Sequence, residues 1–258
     1  MNTNWNIPRT EEFIEKHANC VLDWITISHS QHLSESFIEK HADKVNWADI
    51  SAYQKLSENF ITKHADEVNW GLVYTYQKLS EPFIKKHAKA EHWEIICMYQ
   101  TLSEGFVEEN KYLLDWPYIT RFQKLSSAFR RDHNIPAPED NWLYKPTSFK
   151  KKAVQDTGLY ECHKDYFIAY KAIRKDRYSH FGFQYKYEKG GVYETHADYT
   201  YEGDSFGFGA GTKRFAAKYG SDTGFSSERV RVKIYYRDVA RIVYFGEKIR
   251  ACKIEVLD

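Results

Sequence analysis

A 23-residue phrase organises the first half of this chain. The segment LSENFITKHADEVNWGLVYTYQK, residues 56–78, is closely matched by the segments before and after it. Two aromatic series recur every 23 residues, at Phe37, Phe60, Phe83, Phe106 and Phe129 and at Trp47, Trp70, Trp93 and Trp116. An earlier copy, with Phe13 and Trp24, has one extra residue between its aromatics. Such a period indicates a repeat architecture, here about five copies and a terminal fragment over residues 8–133.

Each copy contains two signals for the start of a helix. The first is a serine, the preferred N-cap residue, at Ser34, Ser57, Ser80, Ser103 and Ser126. The second is the Asn or Asp directly before the tryptophan, at Asp23, Asn46, Asn69 and Asp115, whereas His92 breaks this rule. Pro82 and Pro117 fall in the first turn of these predicted helices, where a missing N–H is tolerated.

Helices this short are marginal alone, so packing must hold them. Phe60, Ile61 and His64 mark the inward face of one helix. The inward face of the other helix is marked by Trp70, Val73, Tyr76 and Gln77. Stacked copies would bury a continuous seam, which predicts an N-terminal α-solenoid of helical hairpins over residues 1–133. The side chains that vary between copies, such as Thr62, Glu67, Gly71 and Thr75, are the expected recognition surface.

Several repeated residues could suggest chemistry. His41, His64 and His87 recur at one position, but equivalent residues of stacked helices lie about 8–10 Å apart. A metal ion needs its ligands at about 2 Å, so we interpret the histidines as structural. The tryptophans share the helical phase of core residues, and the glutamates after the capping serines favour the helix N-terminus. The sequence therefore predicts no catalytic residue, no metal site and no cofactor.

The segment NIPAPEDNWLYKPTS, residues 134–148, carries three prolines, which predict a junction. The remaining residues, 149–258, change to strand periodicity. We expect strands at 166–174, 180–188, 229–236 and 248–258, a hairpin about Gly190 and Gly191, and a helix over 211–220 that ends at Gly220. The overall prediction is an α+β chain of two modules, the second compact and β-rich.

Basic and aromatic residues alternate in the run KAIRKDRYSHFGFQYKYEK of the second module. This composition suits single-stranded nucleic acid, but a two-stranded sheet with one solvent-exposed face explains it more simply. The glycine-rich stretch 203–212 before a helix could hold phosphate on its backbone N–H groups, although it matches no established phosphate-binding motif. The candidate binding residues are accordingly Arg174, Arg177, Tyr185, Ser205 and Thr212.

An NAD-using, ADP-ribosyltransferase-like site is a further alternative. Such folds place an Arg or His on an early strand, a Ser, Thr or Tyr motif later, and a Glu near the end. Arg174, Ser205 or Thr212, and Glu247 or Glu255 could fill these roles, with a spacing that many sequences would satisfy.

Composition bounds the class of protein. Residues 1–148 hold 16 Lys and Arg against 21 Asp and Glu, whereas residues 149–258 hold 21 against 15. A basic second module is mild support for an anionic partner. Four cysteines lie far apart without a CxxC pair, and no signal region or long apolar run is present. These features predict a reduced, cytoplasmic protein, and no membrane partner.

The repeat phrase LSENFITKHADEVNW resembles short helical repeats of phages, large DNA viruses and some bacteria. The segments FGFGAGTKRFAAKYG, RVRVKIYYRDVARIV and GEKIRACKIEVL resemble a C-terminal module of phage proteins related to the phage rIIB protein. The histidine and cysteine that some relatives show around the glycine-rich turn are absent, and Phe206 and Phe208 stand there. The resemblance implies a viral or mobile-element origin and a role in host interaction or counter-defence, inside an infected cell.

We therefore expect a non-enzymatic protein-binding or adaptor protein that contacts its protein partner through the solenoid surface. The alternative is a nucleotide-binding or nucleic-acid-binding function of the C-terminal module.

Overall fold

The computed structural model describes residues 7–17, 23–136, 141–203, 205–222 and 227–258. Its first half is a row of short helices. They are α1 (Glu11–His17), α2 (Trp24–Ser30), α3 (Glu35–Lys40), α4 (Trp47–Tyr53), α5 (Glu58–Lys63), α6 (Trp70–Tyr76), α7 (Glu81–His87), α8 (Trp93–Tyr99), α9 (Glu104–Glu109), α10 (Trp116–Phe122) and α11 (Ser127–Asp132). The predicted solenoid of helical hairpins is confirmed.

The predicted caps hold these helices at their N-termini. The Ser57 hydroxyl accepts a hydrogen bond from the Phe60 N–H at 3.1 Å, and Asn69 Oδ1 accepts from the Leu72 N–H at 3.0 Å. Every serine and every Asn or Asp in the two predicted series makes the equivalent bond. Each cap satisfies one of the backbone donors that the first turn leaves free.

The copy that lacks Asn or Asp starts its second helix differently. A short 3-10 turn, Ala90–His92, precedes α8, and His92 caps nothing in that helix. Instead His92 Nδ1 accepts from the Lys89 N–H at 3.1 Å. The extra turn thus replaces the side-chain cap that the sequence lacks.

The apolar residues at the centre of each helix form one continuous core. Ile38, Ile61 and Ile84 of the first helices and Ile50 and Val73 of the second helices are fully buried in it. The tryptophans lie at the side of this core. Trp47 and Trp70 stack on the phenylalanine of the following copy at 6.2 Å, and only Trp93 of the repeat tryptophans is fully buried. Packing between copies, as predicted, supplies the stability that short helices lack.

A buried glutamine joins each copy to the one before it. Gln77 Oε1 accepts from the Leu56 N–H at 3.2 Å, and its Nε2 donates to the carbonyls of Ser51 and Gln54 at 2.8 Å each. The same three bonds recur at Gln54, Gln100 and Gln123. One amide therefore satisfies a donor and two acceptors that the loops would otherwise bury unpaired.

A glutamate makes a second connection between copies. The Glu58 carboxylate accepts from the Ser80 N–H at 2.6 Å and from the Ser80 hydroxyl at 3.1 Å. Glu35, Glu81 and Glu104 bind the next serine in the same way. These glutamates lie in the first turn of their own helices, as predicted, and they also tie down the start of the following copy.

The second half contains an antiparallel sheet and two longer helices. After α12 (Thr147–Asp156) come β1 (Glu161–Cys162), β2 (Tyr166–Arg174), β3 (Tyr178–Ser179), β4 (Gly182–Lys186), β5 (Val192–Glu194), β6 (Phe208–Gly211), α13 (Lys213–Asp222), β7 (Ser227–Tyr235), β8 (Val239–Val243), β9 (Lys248–Ala251) and β10 (Lys253–Val256). The main sheet has the order β5-β10-β7-β2-β6-β9-β8, with β1 beside β2, whereas β3 and β4 pair separately. This confirms the predicted β-rich α+β module.

Strict alternation separates the two faces of β7. Val230, Val232 and Ile234 are buried in the core of the module, whereas Arg229 and Arg231 are exposed on the other face. Nine residue pairs join β7 to β2 without a break in register. These two strands form the centre of the module.

Three local predictions in this module are wrong. The strands on either side of Gly190 and Gly191 do not pair with each other, because β4 pairs with β3 and β5 pairs with β10. Helix α13 continues past Gly220 to Asp222. The predicted strand 248–258 is two strands, because the strand pairing is interrupted at Cys252, which lies between the end of β9 and the start of β10. For the two strand errors, the sequence indicates strand character but not the pairing partner.

The sheet module lies against the solenoid along the C-terminal ends of its second helices. Gln184 Nε2 donates to the carbonyl of Ala52 in α4 at 2.8 Å, and His32 stacks on Tyr178 at 4.8 Å. At the other end Phe206 packs between Tyr99 of α8 (4.8 Å) and Phe122 of α10 (5.8 Å). The contacts thus run along several copies, and this side of the solenoid is covered by the protein's own chain.

Candidate functional site

The strongest predicted binding residue, Arg174, is internal. Its side chain is 3% exposed, its Nε and Nη2 donate to the Asp176 carboxylate at 3.1 and 2.8 Å, and its guanidinium lies 4.8 Å from the Phe183 ring centroid. A buried arginine in a two-point ion pair with a carboxylate is a structural element. The prediction that Arg174 meets a ligand has no support from this position.

Arg177 and Tyr185 also make internal contacts. Arg177 has a left-handed backbone (φ 73°), and it donates to the Tyr187 carbonyl at 2.7 Å and to the Glu228 carboxylate at 2.9 Å. The Tyr185 hydroxyl donates to the Glu194 carbonyl at 3.1 Å, and its ring packs edge-on against Phe208 at 5.1 Å. Both side chains join β-strands and turns that are distant in sequence.

The glycine-rich stretch forms a strand and not a phosphate loop. Its residues 208–211 are β6, in register with β9 from Phe208↔Ala251 to Gly211↔Lys248. Thr212 caps α13, since its hydroxyl accepts from the Phe215 N–H at 3.0 Å, and its own N–H donates to the Glu247 carbonyl. Ser205 is half-buried, and Asp204 lies outside the described residues. The second half of the proposed phosphate loop, residues 208–212, is therefore part of the sheet and the start of α13.

The residues proposed for an ADP-ribosyltransferase-like site are gathered only in part, since Thr212 adjoins Glu247 through a backbone hydrogen bond of 3.0 Å. Arg174 lies opposite Ser227, whereas Glu255 lies opposite Lys233, which itself pairs with Ile168. Six residues of strand, about 20 Å, separate these positions along β2. The Glu255 carboxylate contacts Lys233 Nζ at 2.7 Å, and that of Glu247 contacts Arg214 at 2.9 Å. With Glu255 as its acidic residue, this alternative therefore has no geometric support, and with Glu247 it stays a prediction.

Part of the positive charge of the second module is buried. Five basic side chains are less than a tenth exposed, namely Lys150, Lys171, Arg174, Lys248 and Arg250. Lys150 Nζ donates to the Val239 carbonyl at 2.7 Å, and burial lowers the pKa of Lys150 to about 8. Burial likewise lowers the pKa of Lys171 to about 8, with nearby Lys248 adding to the effect. The basic composition is thus a weak indicator of an anion-binding surface here.

The recurring histidines pack on the recurring aromatics. The rings of His41 and His64 lie 4.9 Å from Trp24 and Trp47 respectively, and His41 Nε2 is 2.9 Å from the Glu15 carboxylate. These contacts account for the histidine series as structural. Within the part of the chain that the structure describes, no three His, Cys, Asp or Glu side chains are grouped for a metal ion. Cys97 is buried as predicted, and Cys20 lies outside the described residues.

The solenoid keeps one open side, formed by the first helices and the loops that follow them. We call this surface the first-helix face and define it by Thr62, Glu67 and their counterparts in the other copies. Thr62 and Glu67 are exposed, whereas Gly71 and Thr75 of the second helix are half-buried. Ion pairs between copies, such as Lys63–Glu39 (2.7 Å) and Lys85–Glu109 (3.0 Å), lie on this face. The lysine belongs to the later copy in the first pair and to the earlier copy in the second.

Comparison with known protein families, curated proteins and solved structures finds no match. In the described part of the chain, none of the helices combines the length and apolarity that crossing a membrane requires.

Proposed function

We propose that this protein is a non-enzymatic binding protein that recognises a protein partner through the first-helix face. The observation that supports this best is that repeated residues and variable residues have different structural roles in each copy. The conserved phrase is used for caps, the glutamine bonds and the core, while the exposed side chains differ between copies. Repeat arrays of this kind present extended surfaces whose side chains vary without harm to the seam.

The side of the solenoid that the sheet module covers is not open to a partner, which leaves the first-helix face as the expected contact surface. Because Phe206 and Gln184 attach the sheet module to the second-helix ends, a partner meets the first helices and their loops. Cytoplasmic location, phage or viral origin and a counter-defence role rest on the sequence resemblance and composition, and they stay predictions.

Affinity capture with the full-length chain tests this function. A Thr62→Arg/Glu67→Arg double variant changes the first-helix face, and Arg229→Glu changes an exposed position of β7 as the matched control. We expect a stoichiometric protein that wild type and the control retain and that the double variant loses. Retention by the double variant, or loss only in the control, would contradict the proposal.

A nucleic acid is the second candidate partner. The face of β2 and β7 opposite the core places Tyr170 opposite Arg231, with Arg229 and Tyr166 further along the same face. Basic residues beside aromatic rings suit single strands. Arg231 already pairs with Asp258 at 2.6 Å, which reduces the charge available. Fluorescence anisotropy with a labelled single-stranded oligonucleotide tests it, and salt-sensitive binding that Arg229→Gln weakens would support it.

A further inference from the structure

The loop between β5 and β6 joins the sheet module to the solenoid. It spans residues 195–207, of which Asp204 lies outside the described residues. The Asp198 N–H donates to the Phe206 carbonyl at 3.1 Å, and Arg250 Nη1 donates to the carbonyls of Asp198 and Thr200 at 3.0 and 3.1 Å. Asp198 and Arg250 are both buried in the sheet module. Because these bonds hold the loop to the sheet, the loop moves together with the module.

His196 of this loop lies at the contact with the solenoid. Its ring stacks on Phe206 at 5.4 Å, and Phe206 packs against Tyr99 of α8 and Phe122 of α10. The His196 imidazole also hydrogen-bonds the backbone of Met98 in α8. Its Nε2 is buried and has no hydrogen-bond partner among the residues that the structure describes. A neutral imidazole fits this arrangement, because one of its two nitrogens carries no proton.

A second proton on His196 would destabilise this contact. An imidazolium carries an N–H on both nitrogens, so it would bury a donor and a charge at an Nε2 that has no described acceptor. Burial lowers the pKa of His196 to about 4, although the Met98 backbone and Asp198 act in the opposite direction. A histidine in water has a pKa of about 6.5. Proton uptake therefore favours an arrangement in which solvent reaches this ring.

The charged groups that the structure describes around His196 already have partners. The Asp198 carboxylate accepts from the Thr200 N–H at 2.8 Å and from its hydroxyl at 2.7 Å, and it lies 3.7 Å from Arg250 Nη1. On the solenoid side, Arg121 of α10 pairs with Glu202 of the loop at 3.4 Å, and both side chains are exposed. Asp198 thus reduces the cost of a charged His196 but does not remove it.

We propose that acidification releases the sheet module from the second helices of the solenoid, with His196 as the group that binds the proton. Above about pH 6.5 the neutral ring keeps the loop against α8. Between pH 7.5 and pH 5 the two pKa values lower the ratio of docked to separated molecules about 30-fold. Release uncovers Tyr99, Phe122 and the neighbouring helix ends. This second surface of the solenoid is separate from the first-helix face.

His32 provides a matched control at the other end of the same contact. Its ring stacks on Tyr178 at 4.8 Å, but its side chain is exposed. Burial lowers the pKa of His32 as well, and charges of both signs lie near it, namely Glu11, Arg174, Asp176 and Lys186. His32 should therefore contribute in the same direction as His196 but to a smaller extent.

Small-angle scattering and far-UV circular dichroism of the full-length protein between pH 7.5 and pH 5 test this release. We expect the radius of gyration to increase as the pH falls while the helical signal stays constant, because the modules separate without unfolding. His196→Gln removes the proton-binding group, so its radius at pH 5 should equal its radius at pH 7.5. His32→Gln should still expand at pH 5.

A permanent charge at position 196 extends the test to neutral pH. His196→Lys should enlarge the radius at pH 7.5, whereas His196→Gln should not, and both should keep the helical signal. A constant radius of wild type down to pH 5, equal expansion of wild type and His196→Gln, or equal radii of the Lys and Gln variants at pH 7.5 would overturn the proposal. Expansion together with loss of the helical signal would overturn it too, because unfolding would then explain the change.

Discussion

The Tyr144 hydroxyl donates to the carbonyl of Gln123 at 3.2 Å, and it also accepts from the backbone N–H of Leu125. In every earlier copy the equivalent carbonyl and N–H are hydrogen-bonded by the glutamine side chain of the following copy. Tyr144 comes from the junction, after the repeats have ended, and the Arg130 guanidinium lies 4.4 Å from its ring centroid. A tyrosine thus closes the C-terminal end of the glutamine series. At the N-terminal end Gln31 bonds Arg9 and Ile7 in the same manner.

Removing this hydroxyl tests its role as the end of the series. In Tyr144→Phe the carbonyl of Gln123 and the N–H of Leu125, both buried residues, lose this partner, so we expect the free energy of unfolding to fall by about 1–2 kcal/mol. Tyr112→Phe is the matched control, because Tyr112 is 92% exposed. Urea denaturation measures both, and an equal change in the two variants would show that the Tyr144 contact contributes nothing specific.

Truncating a repeat tryptophan tests the packing between copies. Trp70 stacks on Phe83 and His87, and its Nε1 donates to the Ala65 carbonyl at 3.0 Å. We expect Trp70→Ala to lower the free energy of unfolding by about 3–5 kcal/mol, as large aromatic truncations do. A thermal melt indistinguishable from that of wild type would refute the packing role.

Phe206 is expected to hold the sheet module against the solenoid. Phe206→Ala removes the ring that contacts Tyr99, Phe122 and His196, while the core of each module keeps its own residues. Small-angle scattering should then give a larger radius of gyration. Phe245→Ala, at a ring that is 98% exposed, should leave the value unchanged. The same radius for both variants would mean that Phe206 does not maintain the docked arrangement.

His180 should make stability depend on pH. Burial, together with Lys171 and Arg174 nearby, lowers the pKa of His180 to about 4, whereas an unfolded histidine has a pKa of about 6.5. Between these values the unfolded chain takes up a proton that the folded chain does not, so stability falls as the pH falls from about 6.5 to about 4.

His180→Gln should therefore reduce the stability lost between pH 7 and pH 5 by about 1–2 kcal/mol. His163→Gln is the control, because the side chain of His163 is partly exposed, and it lies 2.9 Å from the exposed Glu161 carboxylate and stacks on the Tyr166 ring. Denaturant unfolding at the two pH values measures the difference. An undiminished loss in His180→Gln would contradict this assignment.

The features that sequence predicts best here are local. Ser57 and Asn69 cap their helices because a cap needs only its own next three residues, and the alternation of β7 follows from a sheet with one buried face. The glutamine series was visible as Gln54, Gln77, Gln100 and Gln123, but its bonding reaches across copies, which spacing alone does not reveal.

The features that sequence misses depend on distant partners. β5 leaves its neighbour β4 to pair with β10, and nothing within residues 180–194 encodes that choice. Arg174 was expected at the surface, yet the three residues Ala172–Ile173–Arg174 are all buried where α13 packs on β2.

The central claim is that repeated residues build the solenoid and variable residues are left for recognition. The most direct test compares the free energy of unfolding of Gln77→Ala with that of a Thr62→Ala/Glu67→Ala double variant. Gln77→Ala leaves a buried N–H and two carbonyls without their partner, so a loss of about 2–4 kcal/mol is expected. The exposed pair should cost about 0.5 kcal/mol or less. Equal losses, or a larger loss in the exposed pair, would contradict the account.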